Sequence, residues 1–150
     1  MRNRWLGVAV IALVFEAGFA THQLLVPDIE ARQRALFRDF EELERLGAYV
    51  IGADGENLGR IARNGPNALG NKYDAGSPYK HNGLFNPYSK YGSQYSSTSA
   101  FNKYATDPPK VVVKMGSDLY LVGVLTTNRY LATQGQRINP HLLRAWLESQ

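Results

Sequence analysis

Residues 110–128 read KVVVKMGSDLYLVGVLTTN, and this stretch decides the fold class. Val111, Val112 and Val113 are β-branched, Gly116-Ser117-Asp118 is a turn signal, and LYLVGVLTTN is again rich in β-branched and aromatic residues. Side chains stiff at χ1 suit a pleated surface, so two such runs around a short Gly-Ser connection predict a β-hairpin. Tyr49 to Ala62, YVIGADGENLGRIA, predicts another. Asp54-Gly55 is expected to supply the positive φ angles of its turn, with apolar residues alternating on either side. A calcium loop fails here because Gly55 follows Asp54 directly and no distal Glu completes the ligand set. Gly52, Gly55 and Gly59 form no dinucleotide fingerprint, since no helix opens behind them.

Helices flank the hairpins. Asp28 is placed as an N-cap, Glu30 lies in the first turn, and Ile29, Leu36, Phe40 and Leu43 recur at roughly helical spacing. With Arg45 in the last turn and Gly47 at the C-cap, a helix is predicted over 28–46. Its polar face mixes arginines with glutamates, which favours core packing over a membrane surface. Near the end of the chain, Asn139 caps, Pro140 takes the first helical position, and Leu142, Leu143, Trp146 and Leu147 share one side of a short helix. Helix, hairpin, long insert, hairpin, helix is an α+β order. It predicts a small antiparallel sheet of about four strands with both helices on one face.

The insert, residues 63–109, carries an internal repeat of about sixteen residues. Asn71-Lys72-Tyr73 returns as Asn86-Pro87-Tyr88 and as Asn102-Lys103-Tyr104, while Gly76-Ser77-Pro78-Tyr79 returns as Gly92-Ser93-Gln94-Tyr95. Phe85 and Phe101 precede the second and third asparagines. Neither a 3.6 nor a 2.0 period survives, so an irregular Tyr/Asn/Gly/Ser-rich segment is expected. Its aromatic content argues against disorder. Two readings follow: Asn side chains can close turns by bonding local backbone, or the Tyr, Asn and Lys side chains can face a ligand. The residues to test as a binding set are Tyr73, Asn86, Tyr88, Lys90, Tyr91, Tyr95, Asn102 and Tyr104.

Asp54 to Ile61 (D-G-x-x-L-G-x-I), the Asn-x-Tyr units, Tyr91 to Ser96, Ser99-Ala100-Phe101-Asn102, Asp107-Pro108-Pro109 and Leu125-Thr126-Thr127-Asn128 form a motif series. As a set it resembles a group of small exported bacterial proteins with reiterated Asn-x-Tyr and Tyr-Gly-Ser-x-Tyr motifs. The resemblance covers about residues 53–128. It implies export and a strand after the motif series, and it assigns no activity. The first unit departs from the pattern: Gly70 stands at the aromatic position, and Gly76 arrives one residue early.

Export is also expected from the N-terminus. Arg2 and Arg4 precede the apolar run Trp5 to Phe15, and Gly18 and Ala20 suit a signal peptidase. Residues 1–20 are thus read as a signal peptide. An uncleaved anchor reaching about residue 25 is the alternative, with Glu16 opposing it at about 2–3 kcal/mol. Either way residues 21–150, a single domain, lie beyond the membrane: in the periplasm, at the cell surface or secreted. The membrane is a partner only through that segment. With no cysteine the fold relies on packing, and a lipid-bearing cysteine anchor is excluded.

The charge balance favours an anionic partner, the alternative being a solvated surface that keeps the domain soluble. From Arg60 to Gln150 eleven basic residues face four acidic ones. Among exported proteins this favours an envelope polymer or a protein partner over nucleic acid. No cofactor is expected, because no nucleotide loop, metal box or nucleophile elbow is present. A hydrolase would have to use His81 or a pair among Asp54, Asp74, Asp107 and Asp118, each of which sits at a turn. A retained anchor would favour an accessory subunit of a membrane complex.

Overall fold

The structure is a computed structural model that describes residues 29–133 and 135–149. The expected signal peptide over 1–20, and the alternative anchor to about residue 25, lie outside the described residues. In chain order the elements are α1 (Ile29–Arg45), β1 (Tyr49–Ile51), β2 (Asn57–Arg60), β3 (Lys110–Met115), β4 (Asp118–Leu125), β5 (Gln136–Ile138) and α2 (Pro140–Glu148). The class is α+β. The sheet has five strands in the order β2-β1-β3-β4-β5, and it is mixed. Four strands pair antiparallel, while β5 runs parallel to β4. The expectation of a purely antiparallel, four-stranded sheet is thereby corrected. β5 lies so close that a Cβ on Gly123 would stand 2.5 Å from the Gln136 carbonyl oxygen, so glycine is required at that strand position.

Both hairpins form where the turn residues place them, with one correction. Gly116 has φ 63° and joins β3 to β4 through a two-residue loop, Met115 pairing with Asp118, as a II′ turn requires. In the turn of the first hairpin only Gly55 has positive φ, at 82°. The Gly55 N–H donates to the Gly52 carbonyl at 2.9 Å, and the Gly52 N–H donates to that of Glu56 at 2.9 Å. This is a three-residue loop closed by a glycine bulge, which leaves Asp54 in ordinary backbone and its carboxylate free to bond elsewhere.

α1 ends in a Schellman motif. The Ala48 N–H donates to the Leu43 carbonyl and the Gly47 N–H to that of Glu44. It buries Ala35, Phe40 and Leu43, and Phe40 meets Trp146 of α2 at 5.7 Å between ring centroids. Full burial of each large side chain contributes roughly 1.5–3 kcal/mol relative to exposure. α2 is capped as its sequence predicts, the Asn139 Oδ1 accepting from the His141 N–H at 2.9 Å. Arg63, just after β2, stacks over the Trp146 ring at 4.4 Å and donates to the Trp146 carbonyl at 3.2 Å. A cation there suits the negative end of the helix dipole. The insert joins the same core through Leu69, Leu84 and Ala100, and Ala68, Leu84 and Ala100, spaced sixteen residues apart, are all fully buried. The opposite sheet face holds a smaller cluster of Val112, Leu119 and Leu121. Among the described residues no helix is long and apolar enough to cross a membrane.

Candidate functional site

Each Asn-x-Tyr unit folds by one rule. Asn71, Asn86 and Asn102 accept, through Oδ1, the N–H two residues on, at Tyr73, Tyr88 and Tyr104, each at 3.0 Å. The amide nitrogen then reaches back six residues. Asn86 donates to the Lys80 carbonyl at 2.8 Å and Asn102 to that of Ser96 at 2.9 Å, whereas Asn71 meets Gly65 only at 3.4 Å. An Asx turn closed at both ends fixes the backbone and uses the side chain's bonding capacity locally. Asn86 and Asn102 are buried. Both side chains thus spend their hydrogen bonds on the scaffold.

A fourth unit escaped the sequence reading. Asn128-Arg129-Tyr130 follows β4, outside the insert, and repeats the geometry: the Tyr130 N–H donates to Asn128 Oδ1 at 3.0 Å, and Asn128 Nδ2 donates to the Ala105 carbonyl at 2.8 Å. Its signal is the bare Asn-x-Tyr string, which lies off the sixteen-residue period of the insert. Serines repeat the device. Ser77 and Ser93 accept from the N–H groups of Tyr79 and Tyr95, both at 3.1 Å. The first unit also reads differently in space. Leu69, not Gly70, fills the apolar position before the turn, and it is buried.

These turns present rings to solvent. Tyr73, Tyr79, Tyr88, Tyr95, Tyr104 and Tyr130 are between 71% and 99% exposed. A tyrosine usually buries its ring and leaves its hydroxyl wet, so six rings held almost fully in water are unusual for a self-contained domain. The structure brings Tyr95, Asn102 and Tyr104 to one cavity of about 480 Å³, with Lys103 and His141 beside them. Lys103 Nζ lies 5.2 Å from the Tyr104 ring centroid. Tyr73 and Tyr88 do not line that cavity.

Tyr91 and Lys90 belong to a different arrangement. Tyr91 is buried, and its hydroxyl donates to the Asp54 carboxylate at 2.6 Å, with Glu56 Oε2 at 3.2 Å. Lys90 Nζ meets Asp54 Oδ2 at 2.9 Å and lies 5.0 Å from the Tyr91 ring centroid. The Tyr91 hydroxyl first, then the Lys90 ammonium and the Glu56 N–H, hold Asp54 well below the usual carboxylate range. The Tyr91 phenol is pushed up to about 12, by burial first and then by its bond to Asp54. The cluster fastens the insert to the tip of the first hairpin, and Lys90 is already paired.

Asp74 and Asp107 serve local structure. Asp74 Oδ2 accepts from the Asn67 N–H at 2.7 Å, and Asp107 Oδ1 meets Lys110 at 3.5 Å. His81 is exposed on a turn. Among the described residues no group of three His, Cys, Asp or Glu side chains could hold a metal ion. Comparison with protein family models, curated proteins and solved structures finds no match for this chain.

Proposed function

We propose that this chain is an exported, non-enzymatic binding domain whose tyrosine-bearing turns contact a polymer of the bacterial envelope. One observation carries the reading: Asn86 and Asn102, which fix their turns, are buried, while the tyrosines two residues later stand in solvent. Ordering a loop on binding costs about 0.5–1.5 kcal/mol per immobilised side chain, and a backbone closed in advance removes part of that cost. Rings displayed one per turn suit a partner that repeats. A protein interface instead concentrates a few anchors in a fully desolvated centre. The basic excess after Arg60 suits an anionic envelope polymer.

The test is co-sedimentation of the protein with purified cell-wall sacculi. Wild-type chain is expected in the pellet, with Tyr88→Ala and Tyr104→Ala shifting it toward the supernatant. A wild-type chain that stays soluble would sink the polymer reading and favour a protein partner. Export itself is checked by intact mass: signal cleavage after Ala20 leaves Thr21 first, whereas a full-length mass confined to membranes supports the anchored accessory-subunit reading.

A further inference from the structure

The cavity beside Tyr95 and Tyr104 continues into a second, of about 530 Å³, across the shared residues Gln94, Phe101 and His141. Together they form a groove between the repeat units and α2. Its floor repeats with the sequence. Phe85 and Phe101 occupy the same position in successive units, with ring centroids 6.2 Å apart. Its wall repeats with the helix. His141 meets Phe101 edge-on at 5.2 Å, and one turn later the Arg144 guanidinium lies 4.8 Å from the Phe85 centroid. Each repeat unit thus faces one turn of α2.

The lining is one-sided in charge. Lys103 and Arg144 line the groove, and no aspartate or glutamate does. Arg144 pairs with Glu148 at 3.9 Å, and Glu148 lines the adjoining cavity, not the groove itself. Thr127 also lines the groove, and its buried Oγ1 has no hydrogen-bond partner among the described residues.

We infer that this groove is a subsite for a carboxylate-bearing sugar residue of a glycan chain. The inference rests on the polymer reading and names the polymer's chemistry. A pyranose ring presents C–H faces to aromatic floors and hydroxyl groups at its edge. Phe101 supplies the floor, and Gln94 and the hydroxyls of Tyr95 and Tyr104 supply polar partners around it. A carboxylate on the sugar then meets Arg144 and Lys103, where charge-assisted bonds are roughly twice as strong as neutral ones. An acidic peptide fits less well, because extended peptides bind through free backbone groups. Here the Thr127 N–H already donates to the Ala100 carbonyl, and the Asn102 carbonyl accepts from Ala105. Nucleic acid needs a row of phosphate-binding cations, and two do not make one.

The full-length chain, labelled in its aromatic rings, is titrated with a galacturonic acid tetramer, the methyl ester of that tetramer, and tetraglutamate. The acid is expected to shift the Phe85, Phe101 and His141 resonances, with the ester about tenfold weaker. Lys103→Gln and Arg144→Gln should each weaken the acid about tenfold and the ester clearly less, so that the acid loses its advantage over the ester. Equal affinity for acid and ester would overturn the inference, as would tetraglutamate shifting the same rings at the same concentration. Sacculus binding retained with no groove shift from any probe would overturn the subsite and keep the polymer reading. Failure of the polymer reading registers separately, as loss of sedimentation.

Discussion

Asn86 and Asn102 each do two jobs with one side chain, and removing it breaks two part-buried hydrogen bonds at once. Asn86→Ala and Asn102→Ala are therefore expected to cost about 1–3 kcal/mol each in chemical denaturation. Asn128→Ala should fall in the same range, and Asn71→Ala below it, because its reach to Gly65 is 3.4 Å. Equal and negligible losses across the four would show that these bonds do not hold the insert. Asp39 is the other telling residue. It is buried in α1 with Oδ2 unpaired, and burial raises its pKa to about 6, opposed by the nearby Arg38 charge. A raised pKa means that the stabilising difference is complete below the unfolded value near 3.8 and is lost as pH rises through 6. Asp39→Asn should remove that loss and stabilise the protein at pH 7 by on the order of 2 kcal/mol. Melting curves at pH 4 and pH 7 check this, and a variant no more stable than wild type at pH 7 contradicts it. The sequence held a clue, since Ala35, Asp39 and Leu43 recur every four residues on the buried face.

At the scale of elements, legibility follows local chemistry. α1, α2 and the two hairpins carry their own caps, turn glycines and apolar spacing, and all four were readable in the chain. β5 was not. Gln136-Arg137-Ile138 is three residues with no alternation, and it becomes a strand only by lying against β4 over Gly123. The latch at the first hairpin was hidden for a related reason. Asp54 looks like a turn aspartate, and only the fold brings Tyr91 to it across thirty-seven residues. Tyr91→Phe keeps the ring in the core and removes the hydroxyl from Asp54. It is expected to cost about 0.5–3 kcal/mol and to speed hydrogen exchange around residues 89–92. Exchange unchanged there would mean that packing of the ring alone holds the insert. Asp54 also adds an acid-side dependence. Its depressed pKa contributes stability above the ordinary carboxylate range, which is lost as pH falls below it.

For the whole molecule the informative quantity is the division between rings and charge. Polymer binding should come from two separable terms. Lysines and arginines after Arg60 attract an anionic polymer, and that attraction weakens as added salt shortens the screening length from about 10 Å at 0.1 M. The exposed tyrosines contribute contact that salt hardly touches, worth about 1–3 kcal/mol per ring against nucleic acid bases. A sugar face is expected to give less. Sedimentation with sacculi across a salt series should therefore separate the variants by kind. Tyr88→Ala and Tyr95→Ala are expected to lower retention at every salt concentration. Lys103→Ala should act mainly at low salt, since its ammonium is exposed beside the Tyr104 ring. Lys90→Ala should act less than Lys103→Ala, because Asp54 already neutralises Lys90 at 2.9 Å. The sequence could not rank these two lysines, as both stand next to a tyrosine in a repeat unit. Retention that disappears by moderate salt and ignores both tyrosines would reduce the binding to nonspecific charge attraction. The six exposed rings would then need a protein partner to account for them.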